Sequence, residues 1–416
     1  MNILLKSAII IDQNSEFHEK KVDLFIENGI IKNIEKNSTK KADQVIEHKD
    51  LYISPGWFDS SVNFGEPGFE ERETIEHGLK VAAKSGFTAV GVNANLKPVT
   101  DNNSAVSFLF HKAKDNLVDL FPVGALTNEG KGEDLAELYD MKSAGAISFY
   151  DNKKPISNPN LLKIALQYTQ NFKGLVQSFP MDNKIAGNAT VNEHVTSTNL
   201  GLKGIPAMAE ELQVARDLHL LKYTDGKLHI PTISTAGSVE LIKEAKKKGL
   251  DVTCSVSIFN LYFDDCALNE FDTNYKLMPP LRTKEDIKSL RKALKEGVID
   301  MVTSDHTPID IEHKKVEFEH ALYGSVGLEH TFKALLSIYS VEDTLAILSR
   351  GRSRFGIHNS IIKVDQTANI TLVAQTEATK VQVDDILSTS KNSAFIHETL
   401  PGRIIGVMNN NQLMLN

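Results

Sequence analysis

The chain has 416 residues, enough for one large barrel or about two to three domains at roughly 150 residues each. Its 46 Lys and Arg against 54 Asp and Glu give 46 − 54 = −8, and with no basic block this excludes a protein built mainly to hold nucleic acid or an anionic membrane. Two cysteines, Cys254 and Cys266, exclude a dense disulfide framework and any Cys-x-x-Cys metal or redox site. No window approaches the roughly 18 apolar residues of a membrane span, and no basic leader opens the chain, so a cytoplasmic protein is expected.

Residues 3–11 and 21–27 read as strands, and Asn28-Gly29 between 21–27 and a further strand at 30–35 is a hairpin signal, because both residues tolerate positive φ. Helical and strand-like runs then alternate: helix at 78–85 before strand 87–92, helix at 134–142 before strand 146–149, helix at 239–248 before strand 252–256. The end returns to strands at 368–375, 402–408 and 412–415, the last two joined by Asn409-Asn410-Asn411. Neither terminus has enough strands for a core of its own, so residues 1–54 and 356–416 are expected to pair into one small composite β-sandwich domain. Repeated strand and helix over about 300 residues predicts an α/β fold, a (β/α)8 TIM-like barrel over 55–355. Chemistry in such barrels sits at the strand C-termini, here just after Ser54, Val92, Phe149, Val176, Ile230, Val256 and Val302.

Pro55-Gly56-Trp57-Phe58-Asp59 after a β-rich start resembles the barrel entry of the amidohydrolase superfamily, and specifically of the class I dihydroorotases. The likeness continues through His77-Gly78, Asn95 with Pro98 and Asp101, Gly201-Leu202-Lys203-Gly204-Ile205-Pro206, Ser234-Thr235-Ala236, Pro279-Pro280-Leu281-Arg282, Thr303-Ser304-Asp305-His306 and Gly327-Leu328-Glu329. This ordered set spans nearly the whole chain. It implies hydrolysis, or the reverse condensation, of the cyclic amide of dihydroorotate in pyrimidine synthesis. In that chemistry one or two zinc ions lower the pKa of a bridging water and polarise the amide carbonyl.

The same resemblance places the family's ligands on residues of a different kind. The His-x-His pair falls on Ser61-Val62-Asn63, the next histidine at about Ser178, and the last on Thr232. Asp151 falls in the family's Asp-Asp pair, one member of which ligates metal, with the one-residue register left open. Asp305 matches the catalytic and metal-binding aspartate, and Asn95 a substrate-contacting asparagine. The substrate-binding arginine falls on Gly65, the asparagine before Pro-Pro-Leu-Arg on Met278, and the histidine closing Asp-His-Ala-Pro-His on Ile309.

Neutral hydroxyl and amide oxygens are poor ligands for zinc, so no cofactor is expected. Asp59 reads as an acceptor at the mouth of the first strand, His306 as a conformational support, and His229 as a strand residue satisfied by its neighbours. Cys254, in an apolar strand, behaves as a small hydrophobe. Three functions stay open. The first is a non-catalytic homologue that holds or regulates aspartate carbamoyltransferase, as degenerate members of the family resemble its partners. The second is a working cyclic amidohydrolase, with zinc or with a hard cation on Asp59, Asp151 and Asp305. The third is a sensor of a pyrimidine intermediate around Asn95. Barrels of this family commonly pair, so a homo-oligomer is expected.

Overall fold

Both chain ends enter one sheet. The computed structural model describes residues 1–416, and in it the strands run in the order Gln412–Leu415, Arg403–Asn409, Ile370–Ala374, Leu51–Pro55, Asn2–Ile10, Lys21–Glu27, Ile30–Glu35, with Gln44–Glu47 also pairing to Asn2–Ile10. The antiparallel pairing of Leu51–Pro55 with Ile370–Ala374, Ser54 opposite Thr371, joins the two termini. Ile3, Leu5, Ile10, Leu24, Ile26, Ile53, Ile370 and Leu372 form its core. Asn28 and Gly29 take φ of 48° and 77°, as the hairpin requires.

The second sheet is the barrel, whose strands we number β1 (Trp57–Val62), β2 (Phe87–Val92), β3 (Asp119–Gly124), β4 (Ser148–Phe149), β5 (Val176–Gln177), β6 (Leu228–Ile230), β7 (Val252–Ser257) and β8 (Met301–Thr303). They pair in parallel in chain order, and a parallel bridge from Val62 to His306 closes the ring. This is a (β/α)8 barrel beside a β domain made from both termini. Ser54 does not end the first barrel strand; it lies in the terminal sheet, and β1 starts after Gly56. A Cβ at Gly56 would run into Thr88 and Asn369, so the chain passes between the two sheets only at a glycine. The helix Ile75–Lys84 starts where the Thr74 side chain accepts from the His77 amide and turns Ile75, Leu79 and Ala82 inward.

Part of the C-terminal segment packs on the barrel instead of the terminal sheet. Val381, Ala394, Phe395 and Leu400 belong to the barrel core. The Phe395 ring lies 5.0 Å from Phe263, 5.3 Å from Tyr262 and 5.6 Å from Phe259. Asn392 donates to the carbonyls of Thr307 and Gly324 and accepts from the Ile309 amide, tying this segment to the loop after β8. Phe395→Ala is expected to cost about 3–5 kcal/mol in urea denaturation; a loss below about 1 kcal/mol would show that the segment is not part of the core.

Candidate functional site at the C-terminal end of the barrel

Asp59, on β1, is fully buried. It accepts from the Ser61 amide at 3.0 Å, from the Ser304 amide at 2.9 Å and from the Thr303 hydroxyl, so its carboxylate fastens β1 to β8. Burial pushes its pKa up and these hydrogen bonds pull it back. Every acceptor direction that matters for the seam is in use, which is the structural role its position predicted.

Asn63, two residues beyond Ser61, is the hub of the strand ends. Its Oδ1 accepts from Asn93 Nδ2 at 3.2 Å and from Asn152 Nδ2 at 2.9 Å, and its Nδ2 donates to Thr307 Oγ1 at 2.8 Å. Asn93 Nδ2 also donates to Ser61 Oγ at 3.0 Å. Five side chains from the ends of four strands, β1, β2, β4 and β8, thus form one amide and hydroxyl cluster. Asp151 lies outside it: its carboxylate accepts from the amides of Leu126 and Thr127 and from the Thr127 hydroxyl, all in the loop after β3. Asn152, the next residue, is the one that reaches the hub. Of the two neighbours, Asn152 and not Asp151 contacts the hub.

Lys153 Nζ stands 2.8 Å from Asp305 Oδ2, with the carboxylate 2% and the lysine side chain 16% exposed. Burial pushes the Asp305 pKa up, and the Lys153 ammonium pulls it down. Asp305 adopts φ of 49°, as does Thr232. Ser178 is turned away, its hydroxyl donating to Asp217 Oδ2 at 2.6 Å, where Arg216 also binds. Gly65 cannot be an arginine: a Cβ there would meet the Phe69 carbonyl in the tight turn that follows β1. Asn95 is exposed and makes no side-chain hydrogen bond; Asn93 is the asparagine beside the cluster.

His229 is held by Thr253 Oγ1 at 2.9 Å and Ser255 Oγ at 3.2 Å, as a satisfied strand residue. His306 and His330 are buried with no partner at any ring nitrogen, and burial pushes both down to about 3, so both are neutral at pH 7. Cys254 is buried in β7, where burial pushes the thiol up, which fits an inert small hydrophobe.

These donors do not fit zinc. At the positions assigned to its ligands stand two serines, a threonine and an asparagine, while the one unshared carboxylate, Asp305, is engaged by an ammonium. Nor do Asp59, Asp151 and Asp305 converge for a hard cation, since each is committed to different donors; this corrects that three-carboxylate set. The only group of three ligand-type side chains with donor atoms within 4.8 Å of one another is Asp264, Asp265 and Cys266, which shares no residue with the cluster.

Asn93, Asn152 and Lys153 were missed by sequence reasoning. Their signal was position alone: Asn93 directly follows the apolar β2, and Asn152-Lys153 follow the residue that was singled out.

The chain is thus a (β/α)8 barrel whose first and last strands are fastened by a buried aspartate, beside a β domain made from both termini. The fold superposes on the L-hydantoinase (dihydropyrimidinase) of Arthrobacter aurescens with a TM-score of 0.87 at 20% identity, over 100% of this chain and 96% of the other. It superposes on the dihydropyrimidinase of Brevibacillus agri with a TM-score of 0.83 at 20% identity, over 100% and 95%. The family model described as "Dihydro-orotase-like" matches residues 51–238. The dihydroorotase of Geobacter metallireducens is 37% identical over 406 residues, 95% of each chain, and that of Ruminiclostridium cellulolyticum 36% identical over 403 residues, 95% of this chain and 94% of the other. The chain belongs to the dihydroorotase family. No helix is long and apolar enough to cross a membrane.

Proposed function

We propose that this protein is a dihydroorotase homologue of pyrimidine synthesis that does not hydrolyse dihydroorotate, and that it serves as a scaffold or regulatory subunit for aspartate carbamoyltransferase. The observation that supports this reading is the Lys153–Asp305 pair: a tethered ammonium stands against the carboxylate that would otherwise hold metal or take a proton. Opening a cyclic amide near pH 7 needs an activated water and a polarised carbonyl. An aspartate neutralised by lysine, beside serine and asparagine, supplies neither. The barrel is kept whole, which suits a protein retained for its surface.

A second reading, an active amidohydrolase with an atypical oxygen site, is favoured by one observation. Asn93 Oδ1, Asn152 Oδ1, Thr232 Oγ1 and Asp305 Oδ1 are buried and have no hydrogen-bond partner, a costly state unless something occupies it. Size-exclusion chromatography with light scattering, on a mixture with the aspartate carbamoyltransferase of the same organism, separates the two. The scaffold reading expects a complex that survives Asp305→Asn. No complex, together with dihydroorotate turnover that Asp305→Asn abolishes, would overturn it in favour of the enzyme.

A further inference from the structure

A cleft of about 540 Å³ opens where the barrel meets the terminal domain, between the end of the helix Ile75–Lys84, the helix Leu328–Leu336, the segment 379–387 and the strand Arg403–Asn409. Four cations line it: Lys84, Lys333, Lys380 and Arg403. None of them pairs with a side-chain carboxylate, and the three ammonium groups donate no hydrogen bond within the chain. Arg403 Nη2 donates only to the main-chain oxygen of Asn416, at 3.2 Å.

The two carboxylates in the same cleft do not neutralise this set. Glu329 is taken by the amides of Leu387 and Ser388 and by the Ser388 hydroxyl, and Asp385 by the amide of Gln382. Four side-chain cations against the two side-chain carboxylates and the main-chain carboxylate of Asn416 leave 4 − 3 = +1 in one cleft of a chain whose net charge is −8. Like charges brought together in a concave surface raise the local potential and favour an anion.

The geometry points to this cleft as a binding site for a small ligand carrying two or more phosphate groups, held by Lys84, Lys333, Lys380 and Arg403. A single carboxylate would match one of the four cations, whereas linked phosphates present several oxyanions that ammonium and guanidinium groups can share. The ligand would connect the helix Leu328–Leu336 of the barrel to the strand Arg403–Asn409 of the terminal domain.

The site shares no residue with the Lys153–Asp305 cluster, so its test is independent of the scaffold reading. Isothermal titration calorimetry of the full chain with pyrophosphate, with inorganic phosphate as comparator, is expected to show saturable binding of pyrophosphate with Kd below about 1 mM, tighter than phosphate. Lys333→Gln and Lys380→Gln should each weaken it by about tenfold, Lys380→Arg should largely preserve it, and Lys243→Gln, on a distant helix, should change nothing. Circular dichroism checks that each variant is folded. Absence of saturable binding up to about 10 mM, equal weakening by Lys243→Gln, or no weakening by the Lys333 and Lys380 variants would each overturn the proposal.

Discussion

Lys153→Met is expected to destabilise the protein by about 3–5 kcal/mol, because it strands a carboxylate that is only 2% exposed without its counter-charge. The loss should depend on pH. Burial already pushes the Asp305 pKa up, and with the ammonium gone nothing offsets it. The folded variant would then keep a proton that the unfolded chain releases above about pH 4. Since the folded state binds more protons, stability falls as pH rises, so the variant should be weaker at pH 8 than at pH 5. Adding Asp305→Asn removes the stranded charge and keeps a residue that tolerates the left-handed backbone at this position, φ 49°. Urea denaturation should show the double variant recovering about 2 kcal/mol or more. Simple additivity of the two single losses would mean that Lys153 and Asp305 are not coupled.

Acidification should weaken the fold well before the carboxylates are protonated. His229, His306 and His330 are all fully buried, and burial holds each pKa low: to about 3 for His306 and His330, and well below the usual histidine range for His229. In the unfolded chain they titrate near about 6.5. Between these limits the unfolded state binds more protons, so the stability contributed by the neutral rings is fully present above about pH 6.5 and is lost as pH falls toward 3. Each histidine can add up to about 1.4 kcal/mol per pH unit to the slope. Denaturation midpoints at pH 7.5, 6 and 5 should fall steadily, and His330→Phe should reduce the slope by about one histidine's share. A flat profile from 7.5 to 5 would show that these rings are not held neutral.

Much of this molecule is legible where a local rule acts. Asn28-Gly29 marks its turn, and 21–27 and 30–35 mark their strands. Three kinds of feature could not be read. β3 is interrupted by Pro122 and shows no clear strand period. The border at Gly56 depends on Thr88 and Asn369, far away in sequence. The ion pair of Lys153 with Asp305 spans 152 positions, and only barrel closure brings the two together. The return of Phe395 to the barrel core has the same cause, since no local pattern tells a C-terminal aromatic which of two cores it will enter.

The most direct test of the central claim is the zinc content of the purified, untagged protein after growth in zinc-supplemented medium, measured by elemental mass spectrometry following dialysis. A ratio near zero is expected, because Ser61, Asn63, Ser178 and Thr232 offer no nitrogen or sulfur donor and Lys153 already occupies Asp305. One or two equivalents retained per chain would contradict it and return dihydroorotate hydrolysis to first place.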